Sequence, residues 1–373
     1  MSRPGPVHHL AQAEPRRLLE AARALEPDAG EGIAVLLAAE GAPDLGTLVA
    51  ALRTLPVPAF GGVFPGLVWA GQARHRGALL LRLPLVAPPR LIRAGEPETD
   101  AALDALVGEL GSRTATAFVL VDGLSPRLEE MLWGLYRAFG HRVAYLGGGA
   151  GTLAMTRAPC VFTTAGTAQD ALVLALVDAA GRIGVHHGWE PVGEPVLSTR
   201  VAGNRVQELN WQPAFEVYRA AVARHAGVPP RRDDFFTLAK AYPFGIYREG
   251  SEPVVRDPIA VEGSDIVCVG ALPENALLQV LHGDPERLID AARRAAEDGK
   301  VGADRLPFVV DCISRSIFLA ARFDEELAAV QAALELPETA PLPGVLSMGE
   351  IASGGGECLE FFNKTVAVGC LDV

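Results

Sequence analysis

LPFVVDCISRSIFLAARFDEELAAVQAAL (residues 306–334), PLPGVLSMGEIASGGG (341–356) and ECLEFFNKTVAVGCL (357–371) read together as one supersecondary unit. Phe308 to Val310 is an apolar run too short for a helix, and it ends at Asp311. From Ile313 to Leu334 the residues Ile317, Leu319, Ala320, Phe323, Leu327, Val330 and Leu334 recur at threes and fours. That period predicts one helix with a single buried face. Val345 to Met348 resumes a strand and stops at glycine. Leu359 to Phe362 and Thr365 to Leu371 flank an Asn-Lys pair, which predicts a tight hairpin.

The same order occurs twice earlier. Ile33 to Ala38, Leu45 to Leu55 and Val57 to Phe60 read as strand, helix and strand, ending at Gly61 and Gly62. Gly66 to Ala70 and Ala78 to Leu83 then read as a hairpin. Ala117 to Val121, Arg127 to Phe139 and Val143 to Leu146 repeat the pattern up to Gly147, Gly148 and Gly149, followed by Cys160 to Thr163 and Ala171 to Val177. Residue identities do not match between the units, so the repeat is one of pattern. The fold class expected is α/β (mixed α+β): repeated strand-helix-strand-hairpin units forming mixed sheets, in two domains.

Composition narrows the function. A chain of 373 residues is long for one core. The formal charge of -12, with scattered arginines, argues against nucleic acid and anionic membrane surfaces, which need concentrated Lys and Arg. No apolar run is long enough to span a bilayer, and the N-terminus lacks the apolar segment of a secretory signal. Five spread cysteines form no disulfide framework. Cys160, Cys268, Cys358 and Cys370 lie in apolar strand-like runs, as buried free thiols do. The expected location is the cytosol.

Residues 1–30 read as an extension, helical from Pro15 to Leu25; 31–205 and 206–373 read as two domains. DGLSP places Ser125 as a helix N-cap with Pro126 at the first helical position. Ala214 to His225 and Pro285 to Ala296 read as helices, and Phe235 to Leu281 mostly as short strands.

In open α/β sheets ligands gather beyond the carboxyl ends of parallel strands. Asp122, Asp311 and Cys312 fall there, as do the turns at Gly61, Gly147 and Gly349. GGGAG at Gly147 to Gly151 lacks the Lys-Ser/Thr of a P-loop, so a tight turn is the simpler reading, and Gly354 to Gly356 reads as a hairpin approach. His186 and His187 point to opposite faces if they lie on a strand, which disfavours a shared metal; His187 suits a hydrogen-bond donor in a pocket. No metal and no cofactor is expected. Cys312, opening a helix with Arg315 one turn away, is the weak candidate nucleophile; a structural or ligand-lining thiol is the alternative. No other catalytic motif stands out.

Several segments, in order, resemble the FIST (F-box and intracellular signal transduction) family. They are HGWEPVGEP from His187, ELNWQPAFEVYR from Glu208, FGIYREGSEPVVRDPIAVEGSDIVCVGALPEN from Phe244, then DCISRSIFL, MGEI and EFFNKT. FGGVFPG and VDGLSP fit more loosely. The chain departs from the family pattern at Asn210-Trp211-Gln212, where Asp-Gly-Arg is commoner, and at Ala241-Tyr242. The resemblance implies a stand-alone protein with FIST_N and FIST_C domains that binds a small ligand such as an amino acid and signals through a protein partner.

On that reading Asp311, Cys312, Arg315, Glu350 and Asn363 line a cleft, with His187 and Trp189 near the domain junction. Arg315 would clamp a ligand carboxylate, Glu350 an amine, and Asn363 would use its amide. The alternatives are an internal ion pair for Arg315 and Glu350 and turn chemistry for Asn363. An enzyme using Cys312 and a non-catalytic interaction scaffold are the competing functions.

Overall fold

The computed structural model describes residues 3–300, 302, 305–337, 340–353 and 359–373. Three six-stranded mixed sheets and one nine-stranded sheet make up the strand framework. The three six-stranded sheets share one strand order. At the centre are two parallel strands joined by a helical crossover: Glu31–Ala38 with Ala59–Phe64, Ala115–Asp122 with Val143–Ala150, and Leu306–Cys312 with Gly344–Ser347. Beside the first of each pair runs an antiparallel strand (Ala78–Pro84, Leu172–Val177, Val366–Leu371), and beyond it an edge strand (Val7–Leu10, Arg90–Ile92, Gly181–His186). The pattern is therefore a true structural repeat, and part of the expected N-terminal extension is its first edge strand.

The other side of each sheet corrects the predicted hairpins. The strands expected to pair within a unit separate into different sheets. Gly66–Trp69 and Gln72–Arg74 form a ribbon that adds to Gly344–Ser347 of the third unit. Val161–Thr163 and Gly166–Ala168 add to Ala59–Phe64 of the first. Glu350–Ala352 and Glu360–Phe362 add to Val143–Ala150 of the second. Each unit thus lends a ribbon to a neighbour, closing a three-way ring. Asn363-Lys364 is the buried passage between two sheets, not an exposed turn, and Lys364 has a positive φ of 54°.

The registers reveal a repeat of residues as well. Val35 faces Gly61, Val119 faces Gly147 and Val309 faces Gly344. In all three pairs a Cβ on the glycine would overlap the valine's carbonyl oxygen, so only glycine fits. Inside the ring Phe118 sits edge-on to Phe60 and Phe308, with ring centroids 6.4 and 5.1 Å away.

The third unit is interrupted between its edge strand and the helix Pro285–Gly299. Trp189–Pro191 to Leu277–Gly283 supply the nine-stranded sheet, one face of which packs on Ala214–Ala226 and the short helix Phe235–Ala239. The single helix predicted from Ile313 to Leu334 is two, Ile313–Leu319 and Phe323–Ala333. The break falls at Ala320, whose left-handed φ of 50° ends the first helix. The helix after DGLSP starts later than predicted, at Leu128; the Ser125 hydroxyl accepts from the Arg127 amide at 3.3 Å. Cys358 and Gly354 to Gly356 lie outside the described residues.

Candidate functional site

Three copies of one scaffold in one chain allow an internal comparison. Counting from the Val–Gly pairs, Asp311 stands where the other units have Leu37 and Val121, and Cys312 where they have Ala38 and Asp122. Ser347 replaces Phe64 and Ala150. Glu350, opposite Gly148, replaces Leu67 and Val161. All four third-unit residues are buried. The scaffold accepts apolar side chains at most of these places, and burying polar groups is costly unless they are paired. The third unit therefore carries polarity that the fold does not require.

On the helix-facing side, Arg315 is fully buried and its five N–H donors are all engaged by protein. Nε and one terminal nitrogen donate to the Glu326 carboxylate at 3.1 and 2.6 Å. The remaining donors reach the carbonyls of His187 (2.6 Å), Lys364 (3.1 Å) and Leu288 (2.9 Å). This corrects the expected clamp: no N–H is left for a ligand carboxylate, and the ion-pair alternative holds, with Glu326 rather than Glu350. Asp311 lies 3.5 Å from Arg315 Nε. Burial and the neighbouring Glu326 push its carboxyl well above the usual range.

On the inner side, Glu350 accepts from the Ser347 hydroxyl at 2.6 Å and the Thr365 amide at 3.1 Å. Burial pushes its carboxyl up to about 8 despite those bonds. The Cys312 thiol is also buried, and burial together with Glu350 and Asp257 pushes it well above its ordinary value. A nucleophilic thiol needs the opposite environment. Lys364, fully buried, lies 3.2 Å from Asp257 and donates to the Lys240 carbonyl at 2.9 Å. The Trp189 indole N–H donates to the Lys364 carbonyl at 2.9 Å. These contacts tie the nine-stranded domain to the third unit. Asn363 uses its amide N–H on the Phe362 carbonyl (3.0 Å), while its Oδ1 is buried without a hydrogen bond.

A cavity of about 760 Å³ opens beside this cluster, lined among others by Val143, Ala144, His186, His187, Phe362 and Thr365. Thr365 is shared, since its amide holds Glu350. A second, of about 460 Å³, has Trp189, Arg287 and Arg294 in its wall; His187, Glu252 and Pro253 line both. His186, between them, has Nδ1 2.9 Å from Glu252 and Nε2 2.9 Å from Asp298. With carboxylates at both ring nitrogens it is an imidazolium, and those bonds raise its pKa above burial's opposing effect. Burial instead pushes His187 down to about 4, so it is neutral. Burial would raise Glu252, yet the hydrogen bond and charge of His186 and the His187 backbone amide bring it down to about 2.

Of the residues predicted from sequence, His187 lines both cavities and Trp189 the second, with Trp189 also anchored in the core beneath. Asp311, Cys312, Arg315, Glu350 and Asn363 cluster in the layer behind the cavity and line neither of the two cavities. Sequence reasoning missed Glu252, Asp298, Glu326, Lys364 and Thr365. Glu252, Lys364 and Thr365 sit inside the REGSEP and EFFNKT runs already singled out. Among the described residues no group of three or more His, Cys, Asp or Glu could hold a metal ion, and no helix is long and apolar enough to cross a membrane.

Family models settle the lineage. The FIST N domain matches residues 32–212 and the FIST C domain residues 214–353. The chain belongs to the FIST family. The boundary between the two FIST models falls within the nine-stranded domain, and FIST domains are associated with signal transduction. A search of curated proteins finds no match.

Proposed function

We propose that this FIST protein is a small-ligand sensor that binds an amino-acid-like or carboxylate metabolite in the 760 Å³ cavity and signals through a protein partner. The observation that carries the reading is the cavity itself, whose volume falls in the range of small-molecule sites. Its wall mixes apolar surface (Val143, Phe362) with a few converging polar groups (His186, His187, Thr365). It lies where the second and third units meet, with Glu252 and Pro253 of the nine-stranded domain in its wall, so a ligand there touches all three and can bias how they hold together. A pure interaction scaffold has no use for such a cleft. Behind the wall, the Arg315 and Glu350 networks serve to position His187 and Thr365 rather than to touch ligand.

The test is native mass spectrometry on gently purified protein, then a thermal-shift screen of amino acids and small carboxylates. One compound class should raise the midpoint in proportion to its excess over Kd, and Ala144→Trp, which fills the cavity, should abolish the shift. No co-purifying mass and no shift across the panel would overturn the reading.

A further inference from the structure

Glu252 sits on an exposed stretch, residues 247–252, and faces the buried His187, the largely buried His186 and the partly exposed Arg294. Its Oε1 accepts from His186 Nδ1 at 2.9 Å and lies 3.6 Å from the Arg294 guanidinium. Its Oε2 accepts from the His187 backbone amide at 3.3 Å and lies 3.4 Å from His187 Nε2. The Trp189 amide donates to His187 Nδ1 at 2.9 Å, which makes Nδ1 the acceptor and puts the ring proton on Nε2. That buried Nε2–H faces Glu252 and the Pro253 carbonyl without a hydrogen bond of normal geometry. Four donors therefore converge on one point in the wall between the two cavities.

The asymmetry of burial is informative. The His187 and His186 side chains are 6% and 19% exposed, whereas that of Glu252 is 38% exposed. The two histidines are held in the wall, while Arg294, 39% exposed, closes the point from the rim, and the equally exposed Glu252 can leave. Other charges at this point are Asp298, bonded to His186 Nε2, and Asp290, 3.4 Å from Arg294 Nε; both leave the four donors aimed at Glu252.

We infer that His186, His187 and Arg294 form an anion-binding subsite, that the Glu252 carboxylate occupies it as an internal stand-in, and that a ligand carboxylate displaces it. This rests on the sensor reading of the cavity and deepens it. Displacement loosens residues 249–252, between the Arg248–Glu360 ion pair and Pro253, and opens the wall between the two cavities, so an anionic ligand both enters and changes the surface presented next to the nine-stranded domain.

Acetate, the simplest analogue of the displaced group, is the probe. In Glu252→Ala it should raise the thermal midpoint saturably, while equal chloride does not, and His186→Ala in the same background should erase the effect. In the wild type acetate should act at about tenfold higher concentration, because the tethered Glu252 competes at a millimolar effective concentration. Trypsin cleavage after the exposed Arg248 should be faster in Glu252→Ala, and in the wild type should accelerate with acetate. Equal responses of Glu252→Ala to acetate and chloride would overturn the subsite. Acetate binding that leaves wild-type cleavage unchanged would overturn the displacement. Neither outcome touches the sensor reading, which stands or falls on the metabolite screen of the wild type.

Discussion

Arg315→Met is the sharpest probe of how the third unit holds its polarity. Methionine fills a similar volume but donates nothing. Glu326, with no side-chain exposure, would be left as a buried carboxylate without its cation. Breaking a buried pair in this way costs about 3–5 kcal/mol. The carbonyls of His187, Leu288 and Lys364 lose their donors too, each on the order of 1 kcal/mol. A loss of about 6–8 kcal/mol is expected, comparable to the whole stability of many domains. Urea unfolding followed by tryptophan fluorescence reads it, because Trp189 donates to the same Lys364 carbonyl as Arg315. Arg315→Met with Glu326→Leu should recover most of the loss, since an apolar replacement of the whole pair is often neutral. A single-variant loss below about 1 kcal/mol, the size of an exposed pair, would refute the reasoning and reopen Arg315 as a free ligand clamp.

Glu350 gives a pH signature. Its folded pKa, about 8, lies above the ordinary 4.5, so the folded state binds the extra proton and stability falls as pH rises between those values; Glu350→Gln should flatten that slope in urea titrations at pH 5 to 8, and an unchanged slope would count against the assignment. His186 runs the same way in a higher window: its raised folded pKa makes the clasp fully present below its ordinary 6.5 and lost as pH climbs through the raised value. An NMR titration should find His186 above 6.5 in the wild type and lower in Asp298→Asn, and equal values would exclude the two-carboxylate clasp. Iodoacetamide at neutral pH should label Cys312 no faster than Cys160, Cys268 or Cys370, all buried; preferential labelling would restore the nucleophile. Gly61→Ala, Gly147→Ala and Gly344→Ala should each cost about 1–3 kcal/mol or more by forcing strands apart, read as lost soluble yield or urea midpoint, and a neutral variant would contradict the close approach.

The helices and central strands were legible because their apolar periods are strong: Leu128–Phe139 and Pro285–Gly299 lie close to their predicted places. The ring was not. Nothing local in Gly66–Trp69 or Val161–Thr163 says whether a strand pairs with its own unit or a neighbour's, since the same alternation satisfies either partner. The Val–Gly repeat escaped notice because the paired residues are 26, 28 and 35 positions apart, and only the register aligns them. The site was half visible. Asp311, Cys312, Arg315 and Glu350 do cluster, but the side of the strand on which each lies, and Glu326 as the partner of Arg315, depend on a helix break at Ala320 that periodicity hides. Glu252 reaches His186 across 66 residues, and no sequence pattern encodes that contact.

The central claim is that a small ligand occupies the cavity walled by His186, His187, Phe362 and Thr365. Isothermal titration of the best compound from the metabolite screen into the wild type and into Ala144→Trp tests it most directly. The account predicts one saturable site per chain in the wild type and none in the filled variant, with both equally stable in urea. Equal binding by the two proteins would place the ligand elsewhere and contradict the claim.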